Sequence, residues 1–499
     1  MPRADVEIHL QAFSTHRDDV ALVHRDRRLT FGELVDAVHR TARVLAHRGL
    51  GPGDLAVIIG GNEPEVIVAR YAANLLGAGV TQPYAGLADS ARGRIVDDVE
   101  AALVLVAPGH ADEADAVLAH ARPVPVVVVD DALVAGVDAS PVACAARPED
   151  VEQIRHTGGT TGHPKGITYT FGHHLRMLES AGSILGGDDA PGAQLVCTTI
   201  AHAAGGIADR TLAGGGRVVL LDGFEPGEVL ATIERERITD LWLLPPLLHR
   251  LLDHVDPSGR DLDARDLTSL RTVVYGGAPA VPARIAEAVR RIGRVFVQFY
   301  GQTEAGGVSI LSREEHDDPA LLETVGRVLP TTELAVCDEH GARVPEGATG
   351  ELWARTGMAM DRYWKQPELT ARTITADGWV RTGDVGFLDE RGYLHVVDRL
   401  GDVVVVVGGH VHTSEVENVL VDHPAVREAA VFGAPDADGS ESVRAAVVAD
   451  GDVDAGELAE HVAEHHGAMA APREVTVVAE MPLTDTGKVD KRALRERVG

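Results

Sequence analysis

The stretch from Leu195 to Leu244 decides the fold. It reads Leu195-Val-Cys-Thr198, then Val218-Val-Leu-Leu221, then a segment with helical apolar spacing over Glu228–Arg237, then Leu241-Trp-Leu-Leu244. Short apolar runs separated by helical stretches are the pattern of strands buried on both faces of a parallel sheet. Working outward, the same texture returns at Leu103–Ala107, Val126–Asp130, Thr272–Tyr275 and Val295–Tyr300, with a further helical segment at Ala283–Arg291. The expected core is a doubly wound α/β sheet. In such sheets ligands bind at loops leaving the carboxyl ends of strands, so those loops are where chemistry is sought.

The texture changes after about residue 345. Glu351–Arg355, Val380–Leu388, Tyr393–Val397 and Val403–Val407 read as strands parted by glycine-containing turns, which predicts a β-rich subdomain. From Ser414 the order becomes helix, strand, strand, helix, strand, helix. A last unit of about 100 residues starting near Asp398 is expected.

Composition narrows the partners. The chain has 499 residues, with 46 Lys and Arg against 76 Asp and Glu, a net charge of −30. Such a surface repels phosphate backbones and anionic lipid, so neither nucleic acid nor a membrane surface is an expected partner. Three distant cysteines, Cys144, Cys197 and Cys337, form no C-x-x-C pair, and no apolar run is long enough for a membrane helix. The first twenty residues carry no apolar signal core. A cytoplasmic setting is expected. Only four of the basic residues are lysines: Lys165, Lys365, Lys488 and Lys491. GC-rich coding is one cause. A lysine retained in so arginine-rich a chain is also expected where a compact, flexible point charge is needed.

Five segments carry chemistry. The first is Thr157-Gly-Gly-Thr-Thr-Gly-His-Pro-Lys165-Gly166. Glycines let backbone N–H groups approach an anion, hydroxyls add donors and the lysine adds charge, so the segment fits a phosphate cradle. It lacks the Gly-Lys-Ser/Thr ending of a Walker loop. The alternative is a plain glycine-rich surface loop, against which Lys165 speaks. The second is Tyr300-Gly-Gln-Thr-Glu304, directly after an apolar strand run. An aromatic, a hydroxyl and a carboxylate there suit a base, a phosphate and a magnesium ion, although a glycine turn closing a strand looks the same. The third is Arg381-Thr-Gly-Asp384, where an aspartate could accept ribose hydroxyls or make an ordinary Asx turn. Asp398-Arg-Leu-Gly-Asp402 lies at the composition break. Pro482-Leu-Thr-Asp-Thr-Gly-Lys488-Val-Asp-Lys-Arg lies near the end, where taken singly it reads as a frayed tail.

In this order, and with Leu29-Thr-Phe-Gly-Glu-Leu near the start, the segments resemble the adenylate-forming superfamily: acyl- and aryl-CoA synthetases, nonribosomal-peptide adenylation domains and firefly luciferase. The resemblance covers nearly the whole chain. It implies a large N-terminal domain of doubly wound α/β sheets plus a β-barrel over 1–397, with the β-rich part at about 320–397. It also implies a small mobile α+β domain over 398–499. The implied reaction joins a carboxylic acid to ATP, giving acyl-AMP and pyrophosphate, and then passes the acyl group to CoA.

By the same resemblance, Thr157, Gly158, Gly159, Thr160, Thr161, Gly162 and Lys165 would hold the β- and γ-phosphates. Tyr300 would stack on adenine beside Gly276, Gly277 and Ala278, with Gly301 and Gln302 adjoining. Thr303 would touch the α-phosphate and Glu304 would carry Mg²⁺. Asp384 would bind the ribose hydroxyls, assisted by Arg399. Lys488 would bridge the carboxylate and α-phosphate oxygens. His202, in Ile200-Ala-His-Ala-Ala-Gly-Gly206, falls beside the carboxylate pocket of many CoA ligases, though a structural imidazole fits that place too. The other histidines show no paired zinc-ligand spacing.

Two departures stand out. The family's hinge position, often Lys or Asp, is Gly401. The turn Gly408-Gly-His-Val-His-Thr-Ser-Glu415 is one residue shorter than usual, and in CoA ligases that loop helps line the pantetheine tunnel. The neighbours of His202 are alanines rather than the aspartate that amino-acid-activating relatives use. Leu241–Pro246 and Val274–Pro279 are apolar with one indole, which suits an aryl or medium acyl group. Other acceptors remain open: a carrier-protein thiol, an amine or another nitrogen nucleophile. A degenerate, non-catalytic nucleotide-binding module is the remaining alternative; the presence of Lys165, Glu304, Asp384 and Lys488 speaks against it.

Overall fold

A computed structural model describes residues 4–157, 165–181, 191–406, 409–435, 441–451, 453–484 and 487–498. The fold is α/β. The chain divides into two compact units, one made of 1–242, 254–273 and 357–373, the other of 243–253, 274–356 and 374–499.

In the first unit a seven-stranded sheet runs in the order Arg362–Tyr363, Lys165–Thr170, Val151–Thr157, Gly79–Thr81, Leu55–Ile59, Leu103–Val106 and Val126–Val128. The strands from Val151–Thr157 to Val126–Val128 are mutually parallel; Lys165–Thr170 runs against them, and Arg362–Tyr363 pairs antiparallel with it. Leu55–Ile59 and Leu103–Val106 are buried at every position, as their unbroken apolar sequences require of strands covered on both faces. A second sheet sets Asp240–Leu243, Ala193–Val196, Arg217–Leu220, Val20–His24 and Arg27–Thr30 side by side, parallel except for the last. Helix starts follow local chemistry. Thr30 accepts from the Glu33 backbone N–H while the Glu33 carboxylate accepts from the Thr30 backbone N–H, fixing the start of Phe31–His47. The Glu225 carboxylate accepts from the backbone N–H groups of Gly227 and Glu228 before Pro226–Glu236.

The second unit holds the end of the strand Thr272–Gly276 and the strands Phe296–Gln302, Gly306–Leu311 and Arg327–Val328. Its β-rich part, expected as a barrel, is an antiparallel four-stranded sheet among the described residues. The order is Thr332–Cys337, Gly350–Thr356, Val380–Leu388 and Leu394–Arg399. After it come Thr413–Asp422, Val426–Pro435, Glu441–Ala449, Ala455–His466, Glu474–Val477 and Lys491–Val498, the helix–strand order anticipated from the sequence. Val416, Leu420, Val431, Val447, Leu458 and Val462 make a core within this segment.

A buried polar cluster lies in the first unit. Asp5 and Glu152 are both buried, and His174 Nδ1 is 2.9 Å from Glu152 Oε2. Burial, and then the neighbouring Glu152, pushes the Asp5 carboxyl well above the usual range; burial does the same to Glu152. Burial lowers His174 to about 4, so the imidazole is neutral and supplies no compensating charge at pH 7. The folded chain therefore retains protons on these carboxyls that the unfolded chain loses near pH 4. Their contribution to stability is full below about pH 4 and declines as pH rises towards about 8. The slope is at most about 1.4 kcal/mol per pH unit for each retained proton. Glu152→Gln is expected to flatten the fall in melting temperature between pH 5 and pH 8. An unchanged slope would show that the pair does not hold these protons.

Candidate active site

The second unit holds most of the anticipated residues, and Tyr300, Gln302 and Arg399 among them converge on one buried carboxylate. Asp384 is 3% exposed. It sits at a bulge: Arg381 lies opposite Trp353 and Val385 opposite Glu351, so Thr382, Gly383 and Asp384 together face the single residue Leu352. Gly383 takes φ +68°, a left-handed conformation that glycine adopts without strain. The Thr382 hydroxyl donates to the Leu352 carbonyl (2.6 Å) and accepts from the Asp384 N–H (3.0 Å). The motif is thus a strand bulge rather than an Asx turn, and the bulge turns the Asp384 side chain toward its partners.

Three donors converge on that side chain. Tyr300 Oη donates to Asp384 Oδ2 at 2.7 Å and Gln302 Nε2 to the same oxygen at 2.6 Å. Arg399 Nε donates to Oδ1 at 3.0 Å, from the cross-strand partner position. A buried carboxylate needs such compensation, and charge-assisted bonds supply it. Burial and then Asp384 hold the Tyr300 phenol well above its ordinary pKa, so it stays a donor. Burial works against the Arg399 charge, but Asp384, Asp402 and Glu304 outweigh it and raise its pKa.

Tyr300, Gly301 and Gln302 belong to the strand Phe296–Gln302, which runs two residues beyond its expected end. The chain turns only at Thr303–Ala305 before Gly306–Leu311 returns. Gly301 permits this, because a Cβ there would run into the Gly306 carbonyl. Thr303 and Glu304 consequently stand at a hairpin tip, half-buried. Gly276 ends the strand Thr272–Gly276, and Gly277 follows at φ +78° before Ala278.

Lys488 is not on a frayed tail. Leu483 and Val489 form an antiparallel bridge, the Thr484 N–H donates to the Lys488 carbonyl at 2.7 Å, and the Gly487 N–H donates to the Thr484 carbonyl at 2.8 Å. The side chain keeps access to solvent, yet surrounding protein desolvates its ammonium enough to lower the pKa below the usual lysine range. Arg399 pushes in the same direction, while Asp384 and Glu304 oppose it. The Lys488 ammonium thus feels the charges of Arg399, Asp384 and Glu304.

The first unit carries the remaining residues. Lys165 begins a strand opposite Thr157, and its Nζ lies 5.8 Å from the Tyr363 ring centroid. Gly158, Gly159, Thr160, Thr161 and Gly162 fall outside the described residues. His202 precedes the helix Ala203–Ala213, and its ring stacks on Tyr84, centroids 4.6 Å apart and planes within 8°.

Two residues went unnoticed in the sequence. Tyr84 follows the short strand Gly79–Thr81 with no motif around it. Asn62 is buried; its Nδ2 donates to the Thr198 and Leu221 carbonyls at 3.0 and 2.9 Å, and its Oδ1 accepts from the Ile200 N–H at 2.9 Å. It therefore fixes the loop that presents His202. Asn62→Ala orphans three backbone groups and is expected to destabilise by about 1–3 kcal/mol for each group that water cannot reach. Thermal denaturation measures this. A melting temperature equal to wild type would show that the loop does not depend on Asn62.

Among the described residues no helix is long and apolar enough to cross a membrane. The AMP-binding enzyme model matches residues 10–364, and the AMP-binding enzyme C-terminal domain model matches 415–488. The family binds ATP. A medium/long-chain fatty-acid–CoA ligase, FadD8 of Mycobacterium tuberculosis, is 36% identical over 97% of this chain and 88% of its own length. A feruloyl-CoA synthase of Amycolatopsis is 34% identical over 96% of both chains. The solved amide bond synthetase McbA of Marinactinospora thermotolerans superimposes with a TM-score of 0.88 at 35% identity, over 99% of this chain and all of its own. With a family model spanning most of its length and relatives of this identity end to end, the chain belongs to the AMP-binding enzymes and is an adenylate-forming ligase.

Proposed function

We propose that the chain converts an aromatic or medium-chain carboxylic acid to its adenylate, using the groups around Asp384, and passes the acyl group to CoA. The single observation that carries this is the convergence of Tyr300, Gln302 and Arg399 on Asp384, with Lys488 acting on the same charges. Carboxylate and triphosphate are both anionic. The barrier is largely the cost of bringing them together, which fixed cations and donors lower. A substrate carboxylate oxygen attacks the α-phosphorus, the bond to pyrophosphate breaks, and the leaving group departs with its electron pair. In this reading Asp384 accepts from the ribose hydroxyls, with Arg399 holding it in place. Lys488 offsets charge on the carboxylate and α-phosphate oxygens, and Thr303 donates to the latter. The family resemblance assigns Lys165 to the outer phosphates. Glu304, a hard oxygen donor at a hairpin tip, suits a magnesium ion, which when bound neutralises phosphate charge.

The acid's class follows from the surroundings of His202. The flat Tyr84–His202 pair is aromatic and the sequence neighbours of His202 are alanines, which suit an aryl or apolar acid better than one bearing an ammonium. The similarity to feruloyl-CoA and fatty-acid–CoA ligases agrees with such acids. In the second half-reaction the CoA sulfur attacks the acyl carbon, AMP leaves, and the thiol proton passes to solvent.

One observation favours a second acceptor, an amine: the amide bond synthetase matches over its entire length at 35% identity. The adenylate formed with ATP and the preferred acid decides between them. Added CoA is expected to give a thioester with loss of free thiol. Persistence of the adenylate with CoA, and amide formation with an added amine, would overturn the CoA reading.

A further inference from the structure

Of the four lysines, the reaction has used neither Lys365 nor Lys491; Lys365 makes an exposed pair with Glu100, whereas the surroundings of Lys491 are built. It opens the helix Lys491–Val498, three residues past Lys488. Its Nζ donates to Thr413 Oγ1 at 3.1 Å and pairs with Glu417 Oε1 at 2.9 Å. Thr413 and Glu417 are one turn apart on the helix Thr413–Asp422, so a single ammonium bridges both. A compact cation with three divergent donors meets that geometry; a planar guanidinium does not. Glu417 also accepts from the Val431 N–H at 2.8 Å, so it is held independently.

The network continues to the nucleotide side. The Thr413 N–H donates to Asp398 Oδ2, and Asp398 Oδ1 accepts from the Arg399 N–H at 2.7 Å. Arg399 in turn holds Asp384. On the other side the Asp490 N–H donates to the Pro482 carbonyl at 2.8 Å, closing the base of the turn that bears Lys488. Lys491 is therefore the tie between that base and the strand end carrying Arg399. Burial opposes its charge, but Glu417, Asp402 and Asp398 more than compensate, so it remains cationic.

We propose that Lys491 is a positioning residue for adenylation: through Thr413 and Asp398 it fixes where the Lys488 ammonium stands relative to Arg399 and Asp384. The inference rests on the adenylating reading for its catalytic consequence but not for its geometry. A displacement of about 1 Å at a reacting group can cost a hundred-fold in rate, while binding of ATP by other residues is little changed.

Lys491→Met and Thr413→Val are the variants. The second leaves Lys491, its Glu417 pair and the Thr413 N–H bond to Asp398 in place and removes only the hydroxyl that accepts from Lys491 and reaches Asp398 Oδ1, so it serves if the first fails to fold. Each is expected to lower kcat for pyrophosphate–ATP exchange by ten- to a hundred-fold with KM for ATP within about two-fold. The double variant is expected to be no worse than the poorer single one, because both break one chain of contacts. A readout without turnover accompanies this. In protein labelled at lysine 13Cε, Thr413→Val is expected to shift the Lys488 resonance and its titration midpoint, leaving Lys165 and Lys365 unmoved. An unmoved Lys488 resonance overturns the proposal whatever the activity. A moved resonance in a wild-type protein that shows no exchange overturns the adenylating reading and leaves the positioning intact. A kcat loss that is additive in the double variant, or matched by a rise in KM, would assign Lys491 a merely structural part.

Discussion

Lys488→Ala is expected to lower carboxylate-dependent pyrophosphate–ATP exchange by several hundred-fold while leaving ATP affinity within about two-fold. The lysine side chain is exposed, so its truncation to alanine removes little packing. Its ammonium acts among Arg399, Asp384 and Glu304, where negative charge on the attacking carboxylate and the α-phosphate would gather. A preorganised cation at developing charge is worth about 3–4 kcal/mol, which corresponds to a loss of several hundred-fold in kcat. Burial, and then Arg399, lowers the Lys488 pKa. The active form is the protonated one, so wild-type activity is expected to fall as pH rises through a midpoint below the usual lysine range. Exchange kinetics and calorimetric ATP binding separate the two effects. Equal loss of both would mean that Lys488 contributes to the ground-state site rather than to the reaction.

Asp384→Asn is expected to raise KM for ATP about a hundred-fold with a smaller change in kcat. Two donors, from Tyr300 and Gln302, meet at Oδ2, and Arg399 meets Oδ1. An asparagine keeps the shape but offers one acceptor oxygen. Its NH₂ must face either Arg399 or the Tyr300–Gln302 pair, donor against donor. Hydrogen bonds to a charged group are worth about 1.5–3 kcal/mol each, and a neutral side chain also loses its hold on the ribose hydroxyls. The Arg399 side chain is 59% exposed, so water takes up much of its unpaired charge and the loss falls on the nucleotide site more than on folding. Nucleotide titration and thermal melting check this. Unchanged KM with a lowered melting temperature would make Asp384 a structural residue only.

The fold was largely legible because its signals are local. Leu103-Val-Leu-Val is a strand buried at every position, as its composition demands. The capping pair Thr30 and Glu33 marks a helix start within four residues. Val380–Leu388 has the bounds read from the sequence. Misjudged boundaries have a common cause. Tyr300-Gly301-Gln302 reads as a turn, yet Gly301 is needed for the close approach of Gly306 inside a strand pair, a contact between chains of residues rather than along one. The terminal lysine segment reads as a tail until Leu483 and Val489 are seen to pair.

The candidate site was named through resemblance, which singled out Glu304, Asp384, Arg399 and Lys488. It could not supply their supports. Asn62 and Tyr84 act on a loop more than a hundred residues away, with no motif around either. Lys491 is set apart in the sequence only by being a lysine in an arginine-rich chain; its partners Thr413 and Glu417 emerge once the last helix is placed.

The central claim is that these groups let a carboxylate attack ATP. Pyrophosphate–ATP exchange, measured with wild-type protein across aromatic and medium-chain acids, tests it most directly. Exchange that is absent without acid and strong with at least one member of the panel is the predicted result. Tight ATP binding with no acid-dependent exchange across the whole panel would contradict it.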